Sequence, residues 1–363
     1  MQIDVAALKA LFNPKLRPLV GLDISSTSVK MVELVDAGKG KPRVERYAIE
    51  NMPRDAVVDG NIANLEAVSE TIAKCWKRLG TSTRFVAMAL PGSAVITKKI
   101  NLPANLREIE MEIQVESEAN QYIPFALEEV NLDFQVIGPV PADPDSVEVL
   151  LAASRKEKVE DRVAAAEAVN LKPVVMDVES YATQAAFDLV IAGLPGEGKE
   201  RIISLVDVGA SATKFTLVKD GQQLYSREQA FGGGLLTQDI MRAYGMNMEE
   251  SEAVKRSASP PENYEAEVLH PFLESLSQEV LRAHQFFFTS TPHSEVNHII
   301  MAGGASLLPG VAEIVGQRSG VDTVLANPFV AMEISPRIKA KQLRSDAPSL
   351  LVACGLALRK FDE

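Results

Sequence analysis

Cysteine, histidine and tryptophan are scarce here: two, four and one respectively in 363 residues. Cys75 and Cys354 lie in apolar stretches, near Ala73 and Trp76 in one case and Val352 and Ala353 in the other. A thiol in such surroundings behaves as a small buried hydrophobe, so neither a disulfide framework nor a catalytic thiol is expected. A chain this long hides about three quarters of its unfolded surface, and its core needs no such staple. His270, His284, His293 and His298 show no HExxH or other metal-ligand spacing and read as structural. Basic charge is also in deficit, with 37 Lys and Arg against 49 Asp and Glu and a net charge of −12. That argues against nucleic acid as the main partner, because tracking phosphates needs a basic face. The longest apolar run, Leu350–Leu358, is far below the roughly 18–20 residues that span a bilayer. The opening Met-Gln-Ile-Asp is not a basic-then-apolar leader, so a cytoplasmic chain is expected.

What is present is a globular composition, 46% apolar and 24% charged, long enough for two or more domains. Val5, Leu8, Leu11 and Phe12 stand at helical spacing before Pro14. This short amphipathic stretch reads as a cap on its own domain or as a dock for a membrane or partner. From Pro18 the pattern is α/β. Leu19–Ile24 and Val29–Leu34 are strand-like runs joined by Ser25-Ser-Thr-Ser28, and Arg43–Ile49 adds a third. Leu65, Val68, Ile72 and Trp76 are spaced for a helix over Leu65–Leu79, with Gly80 as its stop.

Between Pro91 and Pro173 the texture changes to a compact α+β insertion. It has strand-like runs at Val95–Ile100, Val130–Ile137 and Val147–Ala153, and helices over Leu106–Tyr122 and Lys156–Val169. The Pro-Val-Pro-Ala-Asp-Pro-Asp segment from Pro139 is expected to be an exposed turn. The earlier style returns at Val174–Met176 with a helix from Glu179 to about Ile191. The second half runs through strands at Arg201–Asp207 and Thr213–Lys219 and helices over Gly234–Tyr244 and Met248–Arg256. A long helix at Tyr264–Phe288, a strand at Val296–Met301 and a last helix over Ser349–Lys360 complete it.

The most informative feature is an internal duplication. Leu19-Val-Gly-Leu-Asp23-Ile-Ser-Ser-Thr-Ser-Val-Lys30 lies in register over Ile203-Ser-Leu-Val-Asp207-Val-Gly-Ala-Ser-Ala-Thr-Lys214. Each copy is a strand, an Asp, a small-residue turn, a Lys seven positions on and a second strand. Turns of Gly, Ser, Ala and Thr let N–H groups and hydroxyls approach a phosphate. A carboxylate at the strand end would repel bare phosphate and makes sense through Mg²⁺. One copy alone is an ordinary hairpin turn; two copies, with the strand-to-Gly303-Gly304 bend at Ile299–Gly310 as a third part, point to a polyphosphate clamp.

These three parts resemble the phosphate-1, phosphate-2 and adenosine motifs of the actin-like ATPase superfamily. The insertion sits where the cell-division protein FtsA carries its own. Within that group the chain resembles the PilM family of cytoplasmic type IV pilus assembly proteins, over about Leu11 to Lys360. The resemblance rests on Gly21-Leu-Asp-Ile-Ser-Ser-Thr-Ser-Val-Lys-Met-Val-Glu-Leu34, Glu118-Ala-Asn-Gln-Tyr-Ile-Pro-Phe125, and Gly232-Gly-Gly with Thr237, Asp239 and Ile240. It also rests on Asn327-Pro-Phe329 and Ala353-Cys-Gly-Leu-Ala-Leu-Arg359. It implies an actin-like fold, ribonuclease H-like and duplicated, with two domains around a nucleotide cleft. The expected organisation is an N-terminal segment (1–17), a first domain (18–90 and 173–198) holding the insertion (91–172), and a second domain (199–244 and 296–363) with a helical subdomain (245–295).

The resemblance further implies ATP or ADP with Mg²⁺, the metal near Asp23 and Asp207, at Asp207 mostly through water. Ser25, Ser26, Thr27 and Ser28 would face the β- and γ-phosphates from one side, and Gly209, Ala210 and Ser211 from the other. Lys30 matches a position near the first turn, though strand alternation leaves its phosphate contact open. Gly233 and Gly234 match the turn near the ribose. Glu252 and Lys255, one helical turn apart, read as ribose and base contacts or as a solvated ion pair. Gly303, Gly304 and Ser306 would approach the adenine and α-phosphate.

Ser25 stands where many superfamily enzymes have Gly, so phosphate approach is expected to differ there. FtsA ends in a membrane-targeting helix, whereas this sequence stops at Glu363 directly after its last expected helix. Recruitment to the inner face of the inner membrane is therefore expected through a partner or the N-terminal segment. The resemblance names that partner as PilN, whose cytoplasmic tail would lie between the first domain and the insertion; other pilus proteins and self-association are further expectations. Phosphoryl transfer also needs a group to orient the attacking oxygen. The candidates are Asp207, Glu179 and Gln184, none set apart from a helix cap or surface residue. An ATP-binding scaffold is the favoured reading. A steady ATPase or small-molecule kinase of the same superfold is the alternative.

Overall fold

The computed structural model describes residues 18–362 except 39, 142 and 258. The N-terminal amphipathic stretch lies outside the described residues. The chain forms two compact units. One takes the described residues up to Met31 with Tyr47–Ala182, and the other Val32–Arg46 with Thr183–Phe361.

The first unit is built on β1 (Val20–Ile24), β2 (Ser28–Asp36), β3 (Pro42–Asn51), the two-residue strands β4 (Val57–Val58) and β5 (Asn61–Ile62), and β6 (Phe85–Leu90). Strands β2 and β3 pass from one unit to the other. β2 is buried at seven successive positions, Ser28 through Leu34, as expected for a strand covered on both faces. The helix Leu65–Leu79 starts and stops where the sequence places it. Asn64 accepts from the Ala67 N–H at 3.0 Å, and Gly80, left-handed at φ 69°, donates to the Trp76 carbonyl. Its Val68, Ile72, Cys75 and Leu79 face the core with Val20, Leu22, Met31 and Met88. Burial pushes the Cys75 thiol up to about 12 and that of Cys354 up as well, so both act as apolar groups.

Residues 91–155 contain β7 (Val95–Pro103), the helix Glu108–Tyr122, β8 (Val130–Val140) and β9 (Asp143–Arg155). The sheet order β7-β9-β8 is antiparallel throughout. It closes its own core with Met111, Val115 and Ala119 of the helix against Ile100, Leu102, Val149 and Leu151. The proline-rich segment from Pro139 is the exposed turn that the sequence predicts, lying where β8 ends at Val140 and β9 begins at Asp143. Pro139 is tolerated because β8 is an edge strand, where a missing N–H costs no ladder bond. The following helix, Lys156–Glu167, places Ala165 and Ala166 in the core of the Leu65–Leu79 helix. Strand β10 (Lys172–Val178) then pairs parallel to β6.

The second unit repeats the plan. Strands β11 (Ile202–Val208), β12 (Thr213–Lys219) and β13 (Gln222–Gln229) form an antiparallel meander. β14 (His298–Ala302) and β15 (Asp322–Leu325) add on parallel. The order β13-β12-β11-β14-β15 matches β3-β2-β1-β6-β10 of the first sheet, to which β16 (Glu333–Ile334) adds beside β3. The expected single helix from Tyr264 opens instead with a π turn, Glu265–Leu269, before the α-helix His270–Ser290. Pro271 lacks the N–H that would bond the Glu267 carbonyl, which favours the wider turn. Within this helix His284 is buried with its Nε2 2.9 Å from Ser204 Oγ on β11, and desolvation pushes its pKa down to about 4. His298 lies between Asp322 and Arg201. Both have packing roles.

Candidate functional site

In the first unit, Asp23 is the penultimate residue of β1 and Lys30 stands on β2, both buried. The Lys30 ammonium donates to Asp23 Oδ2 at 2.9 Å and reaches Ser25 Oγ at 3.4 Å. The turn between them is closed by its own hydroxyls. The Ser25 N–H and Oγ both donate to the Ser28 carbonyl, at 3.0 and 2.9 Å, and the Ser28 N–H returns a bond to Ser25 Oγ at 3.2 Å. Ser26 and Thr27 form the tip, where the Thr27 carbonyl accepts from Met52 N–H at 2.9 Å. The lysine seven residues after the aspartate is thus its counter-ion across the hairpin.

In the second unit the same spacing again sets the pair side by side, with Asp207 and Lys214 directly opposed on β11 and β12. Here backbone packing replaces the hydroxyl closure. The Gly209 N–H donates to the Ala212 carbonyl at 2.9 Å, while the carbonyls of Gly209 and Ala210 accept from Gly233 and Gly234 at 2.9 and 2.8 Å. The turn is thereby bonded to the start of the helix Gly233–Tyr244. A Cβ at Gly232 would sit 2.5 Å from the Ala210 carbonyl oxygen, so only glycine permits this approach. Gly303 follows β14 at φ +86°, and a Cβ there would lie 2.4 Å from both Asp207 Oδ1 and the Val208 carbonyl oxygen. The glycines allow protein backbone to pack on itself and on Asp207. Around Gly304, by contrast, a Cβ would meet nothing within 4 Å.

Beside this packed turn lies a charged network. Lys255 Nζ donates to Glu252 Oε1 at 2.8 Å, Thr237 Oγ1 at 2.9 Å and the Gly233 carbonyl at 3.1 Å. The Thr237 hydroxyl also bonds Glu252. Glu252 and Lys255 therefore do form an ion pair, but a half-sheltered one tied to the glycine turn. Thr237, fully buried, joins three site elements and was absent from the sequence-derived site; its signal was its place four residues after Gly233 on one helix face. Ser306 is buried, with its hydroxyl turned onto the Gly303 carbonyl at 2.7 Å, so it holds the glycine bend.

Of the groups considered for orienting water, Gln184 Nε2 is bonded to Asp188 Oδ1 at 2.7 Å, while Glu179 begins the helix Glu179–Ala192. Arg162, also missed, is 2% exposed. Its Nε donates to the Ala89 carbonyl at 2.8 Å and its Nη2 to the Gly60 carbonyl at 3.0 Å. Burial pulls its pKa down, opposed by the fields of Glu179, Asp23 and Asp161. It lines a shallow recess with Gly60, Ile62, Leu90, Ala94 and Lys158. Among the described residues no group of three or more His, Cys, Asp or Glu side chains is arranged to hold a metal ion, and no helix is long and apolar enough to cross a membrane.

The family model for the type IV pilus assembly protein PilM matches residues 21–361. The chain belongs to the PilM family. Its fold is similar to that of the solved PilM–PilN type IV pilus biogenesis complex, at 30% identity and a TM-score of 0.77, over 95% of this chain and 99% of that one. The ethanolamine utilization protein EutJ from Carboxydothermus hydrogenoformans shares the fold at 16% identity and a TM-score of 0.54, over 93% of this chain and 88% of that one. A diol dehydratase-reactivating factor shares it at 10% and 0.54, covering 96% and 100%. The architecture of this PilM family member is thus the duplicated actin-like ATPase fold.

Proposed function

We propose that this PilM family member is a nucleotide-binding scaffold of the type IV pilus assembly platform that docks the N-terminal cytoplasmic tail of PilN at the inner face of the membrane. The observation that carries this reading is the near-full-length likeness, at 30% identity, to a protein solved in complex with PilN. The tail is placed across the boundary between the first domain and the insertion, which the shallow recess walled by the β4–β5 hairpin, the end of β6 and Ala94 marks. Exposed Ile109, Ile113, Val136 and Ile137 give the insertion an apolar surface for further pilus partners.

The two turns support nucleotide binding. Ser26 and Thr27 offer hydroxyls and N–H groups at the first tip, Gly209, Ala210 and Ser211 line the second, and Gly304, after the Gly303 bend, leaves open space for a nucleoside. Asp207, half-buried where Asp23 is buried, is the more accessible of the two carboxylates for Mg²⁺. The rest of the ion's shell would be water and phosphate oxygens. Bound nucleotide would supply negative charge, and the chain's own groups would orient its phosphates.

The test is retention of the full-length chain on an immobilised PilN tail, alongside ATP turnover. Wild type should be retained, and Ala94→Arg, which fills the recess, should not. Retention of a folded Ala94→Arg chain would overturn the placement, and failure of wild type to bind would overturn the partner. Turnover on the order of 1–10³ per second would make the chain an enzyme instead.

A further inference from the structure

The chain is acidic as a whole, with a net charge of −12, but its cations are not evenly spread. From Ser335 to Ser345 the sequence holds Arg337, Lys339, Lys341 and Arg344 and no Asp or Glu. A second basic stretch, Lys41, Arg43 and Arg46, lies just before and on β3. The two are far apart in sequence and are brought together inside the second unit. There β16 pairs parallel with the start of β3, Glu333 against Arg43 and Ile334 against Val44. The Ser335 N–H extends this pairing onto the Val44 carbonyl at 2.9 Å, and Arg337 then reaches Glu45 at 3.7 Å.

The acids at this edge leave the cations in excess. Glu45 is shared by Arg43 at 2.9 Å, Arg46 at 3.9 Å and Arg337, and Arg46 also faces the buried Glu33 at 3.7 Å. Asp346, at the end of the helix Ala340–Asp346, accepts from Gln342 Nε2 at 3.3 Å. Glu333 is an exposed carboxylate. Against it stand Arg337, Lys339, Lys341 and Arg344, all exposed, and among the described residues the Arg337 contact is the one salt bridge they make. Leu343 is the buried residue of the helix, which turns Lys341, two positions before it, outward to solvent. Cations in a row along an extended edge do not close round a single ligand; they match a surface of spread negative charge. The acidity of the rest of the chain does not cancel them at contact, because charges beyond a Debye length of about 10 Å are largely screened.

We propose that the edge formed by β3, β16 and the helix Ala340–Asp346 is a contact for anionic phospholipid headgroups, with Lys339, Lys341 and Arg344 as its outer row. Each lysine or arginine near an anionic leaflet adds a modest, salt-sensitive attraction, so the contact is weak alone. For a chain held at the membrane by a partner's tail the same contact becomes effectively intramolecular, and it sets which face meets the bilayer. The inference goes beyond the scaffold reading, and neither the tail site nor the nucleotide site enters it.

The experiment is flotation of the full chain with vesicles of phosphatidylglycerol and phosphatidylcholine in equal parts, and with phosphatidylcholine alone, at low ionic strength. Wild type should float with the anionic vesicles, stay behind with the neutral ones and be released as salt is raised. Lys339→Gln/Lys341→Gln, at exposed positions and shown folded by its melting curve, should partition at least about tenfold more weakly. Lys74→Gln/Lys77→Gln, an equal change of net charge at exposed positions of the helix Leu65–Leu79, should float like wild type. No flotation of wild type, equal binding to neutral vesicles, or equal loss in both variants would overturn the inference, and the first two outcomes need no variant. Release of wild type by millimolar glycerol phosphate at constant ionic strength would reveal a single-phosphate site and overturn it too. So would a light-scattering mass above that of one chain that falls to one chain in Lys339→Gln/Lys341→Gln, which would make the edge a contact between copies. None of these outcomes touches the scaffold reading.

Discussion

The two Asp-to-Lys turns have one sequence pattern and two constructions. In the first unit the pair is sealed: Asp23 and Lys30 are 6% and 9% exposed, and Ser25 and Ser28 spend their hydroxyls closing the turn. In the second, Asp207 and Lys214 are half-buried, and glycine backbone from two other segments, Gly232–Gly234 and Gly303, packs around the turn. The first turn is internally hydrogen-bonded and neutralised. The second gathers the helix start at Gly233, the Lys255 network and the Gly303 bend into one place. Duplication conserved the spacing because seven residues set the Lys across the hairpin from the Asp in both copies, while the turn residues diverged between hydroxyl and glycine chemistry.

The contrast predicts a large difference on removing each lysine. Lys30→Met strands a buried carboxylate and should cost about 3–5 kcal/mol, whereas Lys214→Met at the half-exposed pair should cost about 1 kcal/mol or less. Urea denaturation of the two variants compares them directly, and equal losses would erase the distinction between sealed and open turns.

Acid should strike the second unit through His284. Its pKa is near 4 in the fold against 6.5 for an unperturbed imidazole. Between those values the unfolded chain binds the extra proton, so stability is full above about pH 6.5 and falls as pH drops toward 4. The loss by pH 4 should be roughly 3 kcal/mol. Melting curves from pH 7 to 4 should flatten in His284→Gln if this group is the cause.

The smallest effect separates two adjacent glycines. Gly303→Ala forces a left-handed backbone and a clash with Asp207, costing about 1–3 kcal/mol from strain alone. Gly304→Ala, with open space at its Cβ, should change stability by less than about 0.5 kcal/mol. Parallel denaturation curves check the difference.

Local signals were the legible ones. Asn64 and Gly80 bracket their helix because capping is encoded within four residues of each end, and Thr213–Lys219 reads as a strand because its β-branched and apolar residues are dense. β15 and β16 were not visible: one is a four-residue edge strand with half-exposed residues, and the other is two residues whose partner, Arg43–Val44, is distant in sequence. β13, Gln222–Gln229, is polar enough on its open side to read as loop. The site residues were legible as spacing and composition, whereas their bonds were not. Nothing in the sequence tells that Ser306 bonds Gly303, that Thr237 joins Glu252 and Lys255, or that a buried Arg162 holds Ala89, since each depends on which segments the fold brings together.

The proposed nucleotide site centres on Asp207 of the open second turn. Calorimetric titration of Mg-ATP into the wild-type and Asp207→Asn chains tests this most directly. Wild type should bind, and a folded Asp207→Asn chain should bind at least about tenfold more weakly, about 1.4 kcal/mol. Equal affinity in the two chains, or no binding by wild type, would contradict the account.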